Sequence, residues 1–149
     1  MIKNERQYRV TKTEAQKFEL TLAHLNQLEA EKADNPMLWQ LQRDATESQL
    51  NDLREELQEY EALTSHPSNQ TIALTFNSLS ELPTILIKAR IAAKLSQKAL
   101  AERMGLKEQQ IQRYEATEYS SAKLSRIIEV SESLGMKLEL KGDLAIGAG

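Results

Sequence analysis

The spacing of a few residues in LSQKALAERMGLKEQQIQRYEA, residues 95–116, restricts the fold of this chain more than any other feature. Ser96 is a good N-cap for a short helix through QKALAERM, and Gly105 ends that helix in a conformation that glycine adopts freely. The segment KEQQIQRYEA starts a second helix almost at once. Small Ala101 permits a close crossing of the two helices, and apolar residues on both supply a shared core. The spacing therefore predicts two short helices packed steeply together, with a core of Leu100, Met104, Ile111 and Tyr114.

The second helix of this pair presents a polar face once Ile111 and Tyr114 are turned inward. Glutamine can pair with adenine, arginine with guanine, glutamate can accept from cytosine, and lysine can reach phosphate or guanine. Such a face is typical of a helix that reads DNA in the major groove, although glutamine and charged residues also form ordinary solvated helix surface. We call this set the reading face: Lys107, Glu108, Gln109, Gln112 and Arg113.

Residues 82–135 resemble the helix-turn-helix domain of the Cro and phage-repressor (Xre-type) family. Lys107 departs from the family pattern because Ser or Thr commonly caps the recognition helix there, and Thr117 departs because Gly usually follows the Glu. The resemblance implies four to five helices and binding of double-stranded DNA. The residues that carry the resemblance match the family pattern in order, and the match needs no gap. They are Arg90, Leu95-Ser96-Gln97, Leu100-Ala101, Gly105, Leu106, Ile111 and Tyr114-Glu115.

The same resemblance implies roles for individual residues, beginning with the reading face as the set of base readers. It makes Gln97 a phosphate contact that also braces the reading face, because a helix N-terminus favours anions. It makes Arg90 and Glu115 an internal ion pair of structural importance. Weaker phosphate candidates are Lys98, Ser121 and Lys123.

The first 66 residues have the periodicity of an antiparallel helical hairpin. Apolar residues recur at helical spacing from about Val10 to Lys32, with a weak capping box at Thr13. Asp34-Asn35-Pro36 then interrupts the chain, and a second helix is predicted from about Met37 to Leu63. The apolar stripe of the first helix is Ala15, Phe18, Leu22, Leu25 and Leu28.

The apolar stripe of the second helix changes register between Ala45 and Leu50. After Leu50 the spacing is that of a heptad seam, which is typical of coiled coils. We therefore expect a local stutter, or two packing partners, at residues 45–50. The stripe consists of Leu38, Leu41 and Ala45, followed by Leu50, Leu53, Leu57, Tyr60 and Thr64.

Thr64–Gln70 reads as a linker, and apolar and polar residues alternate in TIALTF at 71–76 and again in MKLELK at 136–141. Such alternation predicts two short strands, which pair either with each other or across a dimer axis. Between them, Ser80 is expected to cap a helix over Glu81–Lys94, and Ser120 or Ser121 one through Leu124 to Gly135. The predicted fold is mainly α: a helical hairpin at 1–66, an Xre-type domain with flanking strands at 71–141, and a flexible tail at 142–149.

Charge is distributed unevenly along the chain, although the net charge is only −3. Residues 1–70 contain 8 Lys/Arg against 13 Asp/Glu, a net charge of −5. Residues 82–135 contain 9 Lys/Arg against 6 Glu, a net charge of +3. The C-terminal half is therefore suited to attract phosphate, and the N-terminal half to repel it.

Composition excludes several classes of function. The chain has no cysteine and only two histidines, His24 and His66, so disulfides and Cys/His zinc sites are not expected. No Ser/His/Asp set, metal-ligand spacing or phosphate-cradling glycine loop occurs, and we expect no enzyme activity, metal or cofactor. Neither a secretion signal nor a membrane-spanning apolar run is present, which predicts a cytoplasmic protein. The resemblance implies that it is bacterial and associated with the nucleoid.

The expected function is sequence-specific DNA binding by a homodimer that represses transcription at an operator. One recognition helix touches few base pairs, so two are expected about 34–36 Å apart on a pseudo-palindrome. The chain also resembles antitoxins of bacterial toxin–antitoxin pairs, in which an acidic segment such as 1–70 would cover a basic toxin. A phage-type or host regulator without a toxin fits as well. The alternative from another class is a helical scaffold whose helix-turn-helix no longer reads DNA.

Overall fold

The computed structural model describes residues 1–67 and 69–147, and the regular structure in these ranges is helical. The described part divides into two compact units, Met1–Ala73 with Ile91–Ser96 (the hairpin unit) and Leu74–Arg90 with the chain from Gln97 onward (the C-terminal unit). A 3-10 turn at Leu79–Glu81 precedes the fourth helix. The helices are α1 (Glu5–Gln27), α2 (Glu29–Asp34), α3 (Pro36–Thr64), α4 (Leu82–Ala92), α5 (Gln97–Arg103), α6 (Glu108–Ala116) and α7 (Leu124–Ser133).

The hairpin unit consists mainly of α1 and α3 in antiparallel contact. Asn4 caps α1, its side chain accepting from the Gln7 backbone N–H at 2.9 Å, so α1 begins earlier than predicted. Thr13 therefore lies inside the helix, where its hydroxyl donates to the Arg9 carbonyl, and the capping box predicted there is wrong. The predicted interruption before α3 is confirmed, since Asn35 caps the helix by accepting from the Leu38 N–H and Pro36 occupies its first turn.

The seam of α3 continues through residues 45–50 without the predicted stutter. The other predicted possibility, two packing partners, agrees with the structure, because α3 contacts both α1 and α2. One series of half-buried and buried residues follows steps of four and three along α3, with Glu47, Glu56, Glu59 and Leu63 half-buried beside it, whereas Leu38 and Leu41 are 48% and 66% exposed. The predicted stripe contains aliphatic side chains in this part of α3, whereas the N-terminal part of the seam is built from an aromatic and two polar residues. The seam residues are Trp39, Arg43, Thr46, Leu50, Leu53, Leu57, Tyr60 and Thr64.

Hydrogen bonds satisfy the polar groups of this seam. The Trp39 indole N–H donates to the Leu25 carbonyl at 2.7 Å, and Arg43 Nε donates to Asn26 Oδ1 at 3.2 Å. Lys32 lies 4.9 Å above the Trp39 ring, a cation–π contact. Because these two donors have acceptors on α1, the cost of bringing Trp39 and Arg43 into the helix interface is offset.

Neither of the two predicted strands is seen in the described ranges, where 71–76 and 136–141 are irregular. A strand requires a hydrogen-bonded neighbour, and the two segments do not form a ladder with each other. Residues 74–79 and 139–141 instead line a common cavity of about 390 Å³ within the C-terminal unit. The alternation of the first segment survives in its burial, since Ile72, Leu74 and Phe76 are half-buried and their neighbours are exposed.

The helices of the C-terminal unit agree with the sequence pattern in number but differ at their ends. Ser78, rather than Ser80, makes the cap before α4 by accepting from the Ser80 N–H. Lys123, rather than Ser120 or Ser121, precedes α7, and it makes no side-chain capping bond. Of the helices in the described ranges, none is both long and apolar enough to cross a bilayer.

Candidate nucleic-acid interface

The turn between α5 and α6 fixes how the two helices are joined. Gly105 has φ +64°, its N–H donates to the Glu102 carbonyl, and the Leu106 N–H donates to the Ala101 carbonyl at 2.8 Å. This pair of bonds is a Schellman motif, which ends α5 and turns the chain sharply into α6. Of the predicted core, Leu100 and Ile111 are fully buried, and Met104 and Tyr114 are half-buried; Ala101, predicted at the close crossing, is also buried. The rotation of α6 about its own axis is therefore set by packing.

All five residues of the reading face are exposed, whereas Ile111 and Glu115 of α6 are buried. Within this face, Gln112 Nε2 donates to Glu108 Oε1 at 3.2 Å across one helical turn. The arrangement leaves amide, guanidinium and ammonium groups directed away from the core on one short helix. These are the groups that hydrogen-bond base edges and phosphates.

The N-terminus of α6 has a cap that the sequence analysis missed. Lys107 cannot accept a hydrogen bond, but its backbone N–H donates to Gln110 Oε1 at 3.0 Å. This is one half of a capping box, and the signal was a glutamine three residues after the N-cap position. Gln110 therefore compensates in part for the missing Ser or Thr. The cationic side chain of Lys107 is left exposed.

A buried three-residue network ties α6 to α4 and α5. Arg90 and Glu115 form an ion pair, with Arg90 Nη2 donating to Glu115 Oε2 at 2.9 Å and Arg90 Nε to Glu115 Oε1. Gln97 Nε2, at the start of α5, donates to Glu115 Oε2 at 2.7 Å. A side-chain amide carries two N–H donors, so this brace is compatible with a second bond from Gln97 to a phosphate. The Glu115 carboxylate therefore links α4, α5 and α6.

The exit from α6 differs from the glycine turn of the family pattern. Thr117 has φ −99°, and the left-handed positions are Glu118 (φ +51°) and Tyr119 (φ +57°). The Glu118 N–H donates to the Glu115 carbonyl and the Tyr119 N–H to the Tyr114 carbonyl at 2.7 Å, which is again a Schellman motif. The turn has therefore moved one residue along the chain, and glutamate takes the position that glycine usually occupies.

Tyr119 is a structural residue that sequence reasoning did not identify. It is 3% exposed and stacks on Tyr114 of α6, with ring centroids 5.7 Å apart and ring planes 12° apart. Burial raises the pKa of its hydroxyl far above the ordinary value, and the negative charge of Glu115 acts in the same direction. No sequence signal marked it, because it stands in the polar run TEYSS, which reads as a loop.

The weaker phosphate candidates are also exposed. Lys98 lies in the first turn of α5, next to Gln97, whereas Ser121 and Lys123 lie between α6 and α7. In the described ranges, no group of three or more His, Asp or Glu side chains lies close enough to hold a metal ion. The exposed polar groups of the reading face are the ammonium and guanidinium of Lys107 and Arg113, two amides and the Glu108 carboxylate.

Comparison with protein families agrees with this geometry. Residues 86–141 match the model of the helix-turn-helix family, of the Cro/C1 (Xre-like) type that the sequence resembles. The matched segment is less than half of the chain and extends from α4 to beyond α7. It is a helix-turn-helix domain, which is characteristic of DNA-binding transcription regulators. Neither the curated proteins nor the solved structures gave a match to the chain.

Proposed function

We propose that the protein binds double-stranded DNA sequence-specifically and represses transcription from an operator in the bacterial cytoplasm. The observation that supports this most is the disposition of α6. Its polar and cationic reading face is exposed, while Ile111 and the Arg90–Glu115 pair hold its buried side. On this proposal the reading face enters the major groove, and Gln97, Lys98, Ser121 and Lys123 contact phosphates.

The test measures binding of the full chain to the DNA upstream of its own gene, with Gln109→Ala and Arg113→Ala as separate variants. Each variant is expected to lose about 1–3 kcal/mol on the specific site, because each removes a contact to a base. Gln58→Ala, an exposed glutamine on α3, is the matched control and should bind as the parent does. Parental affinity in both reading-face variants would reject base readout by α6 and favour the scaffold alternative.

Salt dependence tests the phosphate contacts separately. The logarithm of the binding constant should fall linearly with the logarithm of salt concentration, and Lys123→Ala should reduce that slope by about one. The loss should be similar on specific and unrelated DNA, because phosphates carry no sequence information. An affinity that does not change with salt would contradict the phosphate contacts.

A finer proposal is that the protein is an autoregulating antitoxin whose hairpin masks a toxin. The observation that favours it is the net charge of −5 over residues 1–70, in a segment separate from the reading face. Such a surface suits a basic partner. The experiment is co-purification of the chain with the product of a small basic reading frame beside its gene. Growth arrest by that product alone, relieved by this chain, supports the proposal, and no association or relief rejects it.

A further inference from the structure

Residues 136–146 carry a longer alternating pattern than the predicted strand at 136–141. Every even position is apolar or glycine, and four of these side chains are exposed to increasing degrees: Leu138 38%, Leu140 69%, Leu144 84% and Ile146 92%. Within the described part of the chain, no backbone–backbone hydrogen bond involves residues 137–144. The segment therefore has the sequence of an amphipathic strand and lacks the neighbour that a strand needs.

The polar positions of the same segment alternate in charge. They are Lys137, Glu139, Lys141 and Asp143, all exposed and in the order plus, minus, plus, minus. In an antiparallel pair of identical strands, residues opposite each other lie on the same face. A two-fold axis through an even-numbered residue therefore places opposite charges face to face. An axis through an odd-numbered residue, or a parallel in-register pairing, would place like charges together.

We propose that residues 136–144 form an antiparallel strand pair with the same segment of a second copy of this chain, with the two-fold axis at Leu140. This register pairs every charge of the segment with its opposite. Lys137 faces Asp143 of the second copy, and Glu139 faces its Lys141. On the other face, Met136 meets Leu144 and Leu140 meets its own copy. The nine paired residues extend about 30 Å.

Pairing within one chain explains the charge pattern less well. The other alternating segment, 71–76, offers Thr71, Ala73 and Thr75 on its polar side, none of which is charged. Segment 71–76 therefore offers no charge that could pair with the four charges at 137–143, whereas a second copy of the chain offers an opposite charge to each of them. Residues 74–79 border the cavity beside 139–141, with Leu79 65% exposed, and so lie where they can cover the apolar face of the new pair.

The strand pair is the element that joins the two copies of the proposed repressor. It rests on that proposed function in one respect, that a DNA-binding repressor needs a dimer. A two-stranded ribbon is weak by itself, so the dimer is expected to dissociate on dilution. The experiments on dimer formation contain no DNA. If they contradict the strand pair, base reading by α6 is still decided by the DNA-binding test with Gln109→Ala and Arg113→Ala.

The first experiment uses sedimentation of the full chain and two variants in which the segment carries one sign of charge. Lys137→Glu/Lys141→Glu has only negative charges there, and Glu139→Lys/Asp143→Lys only positive ones. Each alone should dimerise at least about tenfold more weakly than the parent, because all four pairs become repulsive. An equimolar mixture should recover the parental association as a heterodimer, since its strands are complementary.

The matched control is Glu102→Lys/Glu132→Lys, which makes the same charge change as Glu139→Lys/Asp143→Lys but at exposed helical positions, and should dimerise as the parent does. Circular dichroism confirms that each variant is folded. A parent that stays monomeric at about 100 µM, one-sign variants that dimerise like the parent, or a mixture that does not recover would each overturn the proposal.

The register is tested by disulfide formation, for which the cysteine-free chain provides a clean background. Leu140→Cys places two thiols opposite each other at the axis, within the Cα separation that a disulfide spans. Leu138→Cys is the control, because in this register it lies opposite Gly142 and is offset from its own copy by four residues. Rapid crosslinking of Leu140→Cys alone supports the register, and preferential crosslinking of Leu138→Cys overturns it.

Discussion

Arg90 and Glu115, 25 residues apart in the chain, form an ion pair that is 2% and 0% exposed. The pair joins α4 to the helix that carries the reading face, and Gln97 of α5 adds a third bond to the same carboxylate. Removing two charges from water is costly, so such a pair is stable only while both partners remain. The position of α6 therefore depends on groups that never reach the surface.

Glu115→Ala is expected to lower the free energy of unfolding by about 3–5 kcal/mol, because it removes the carboxylate that compensates the buried Arg90 charge. Urea denaturation followed by circular dichroism measures the change. Glu108→Ala, an exposed glutamate on the same helix, serves as the control and should change stability by no more than about 0.5 kcal/mol. Equal effects of the two substitutions would show that the buried ion pair contributes no more to the free energy of unfolding than an exposed glutamate does.

Glu118→Gly is expected to stabilise the protein by about 0.5–1 kcal/mol. A residue with a side chain pays about 1–2 kcal/mol for a left-handed conformation, which exceeds the extra backbone entropy that glycine loses on folding. The thermal midpoint should rise. In α7, Glu132→Gly makes the same change at an ordinary helical position and should lower it. A lower midpoint for Glu118→Gly would argue against the positive φ of that residue.

Tyr119→Phe is expected to make the protein less sensitive to alkali. The folded state raises the pKa of the Tyr119 hydroxyl, so this group favours folding fully below its unfolded pKa of about 10. Its contribution is lost as the pH rises above that value, because the unfolded chain releases the proton first. Phenylalanine keeps the stack on Tyr114 and removes the proton. Stability measured from pH 8 to 12 should fall less steeply in the variant, and identical slopes would exclude Tyr119 as a cause.

Two leucines of α3 test the continuous seam of the hairpin. Leu50 is 1% exposed and Leu41 is 66% exposed, although both belonged to the predicted apolar stripe. Leu50→Ala should cost about 2–5 kcal/mol through loss of buried surface and a residual cavity, while Leu41→Ala should stay within about 0.5 kcal/mol. Chemical denaturation of the full chain measures both. A large effect at Leu41 would indicate that this side chain is covered in solution.

The sequence predicted the parts of the fold that depend on local spacing. The core of the helix pair, from Leu100 to Tyr114, follows from helical periodicity and from the glycine at 105. Gln110 was overlooked because its polar side chain serves the backbone of its own helix. Tyr119 was overlooked because its burial depends on a turn at Glu118 that no periodicity reports.

The hairpin and the strands show where tertiary context decides. Trp39 and Arg43 occupy the seam because α1 offers acceptors to their N–H groups, which an apolar pattern on one helix does not reveal. The strands predicted at 71–76 and 136–141 failed because alternation specifies a face but supplies no partner. Both errors concern neighbours that lie far away in the sequence.

The position of Trp39 in the hairpin seam gives the chain a built-in optical reporter. It is the one tryptophan in the sequence, and its indole ring is held between α1 and the Lys32 ammonium group. Its fluorescence emission should shift to longer wavelength when the hairpin opens, whereas far-ultraviolet circular dichroism registers the helices of both units. Coincident or separate transitions in the two signals would therefore show, without any label, whether the two units unfold as one.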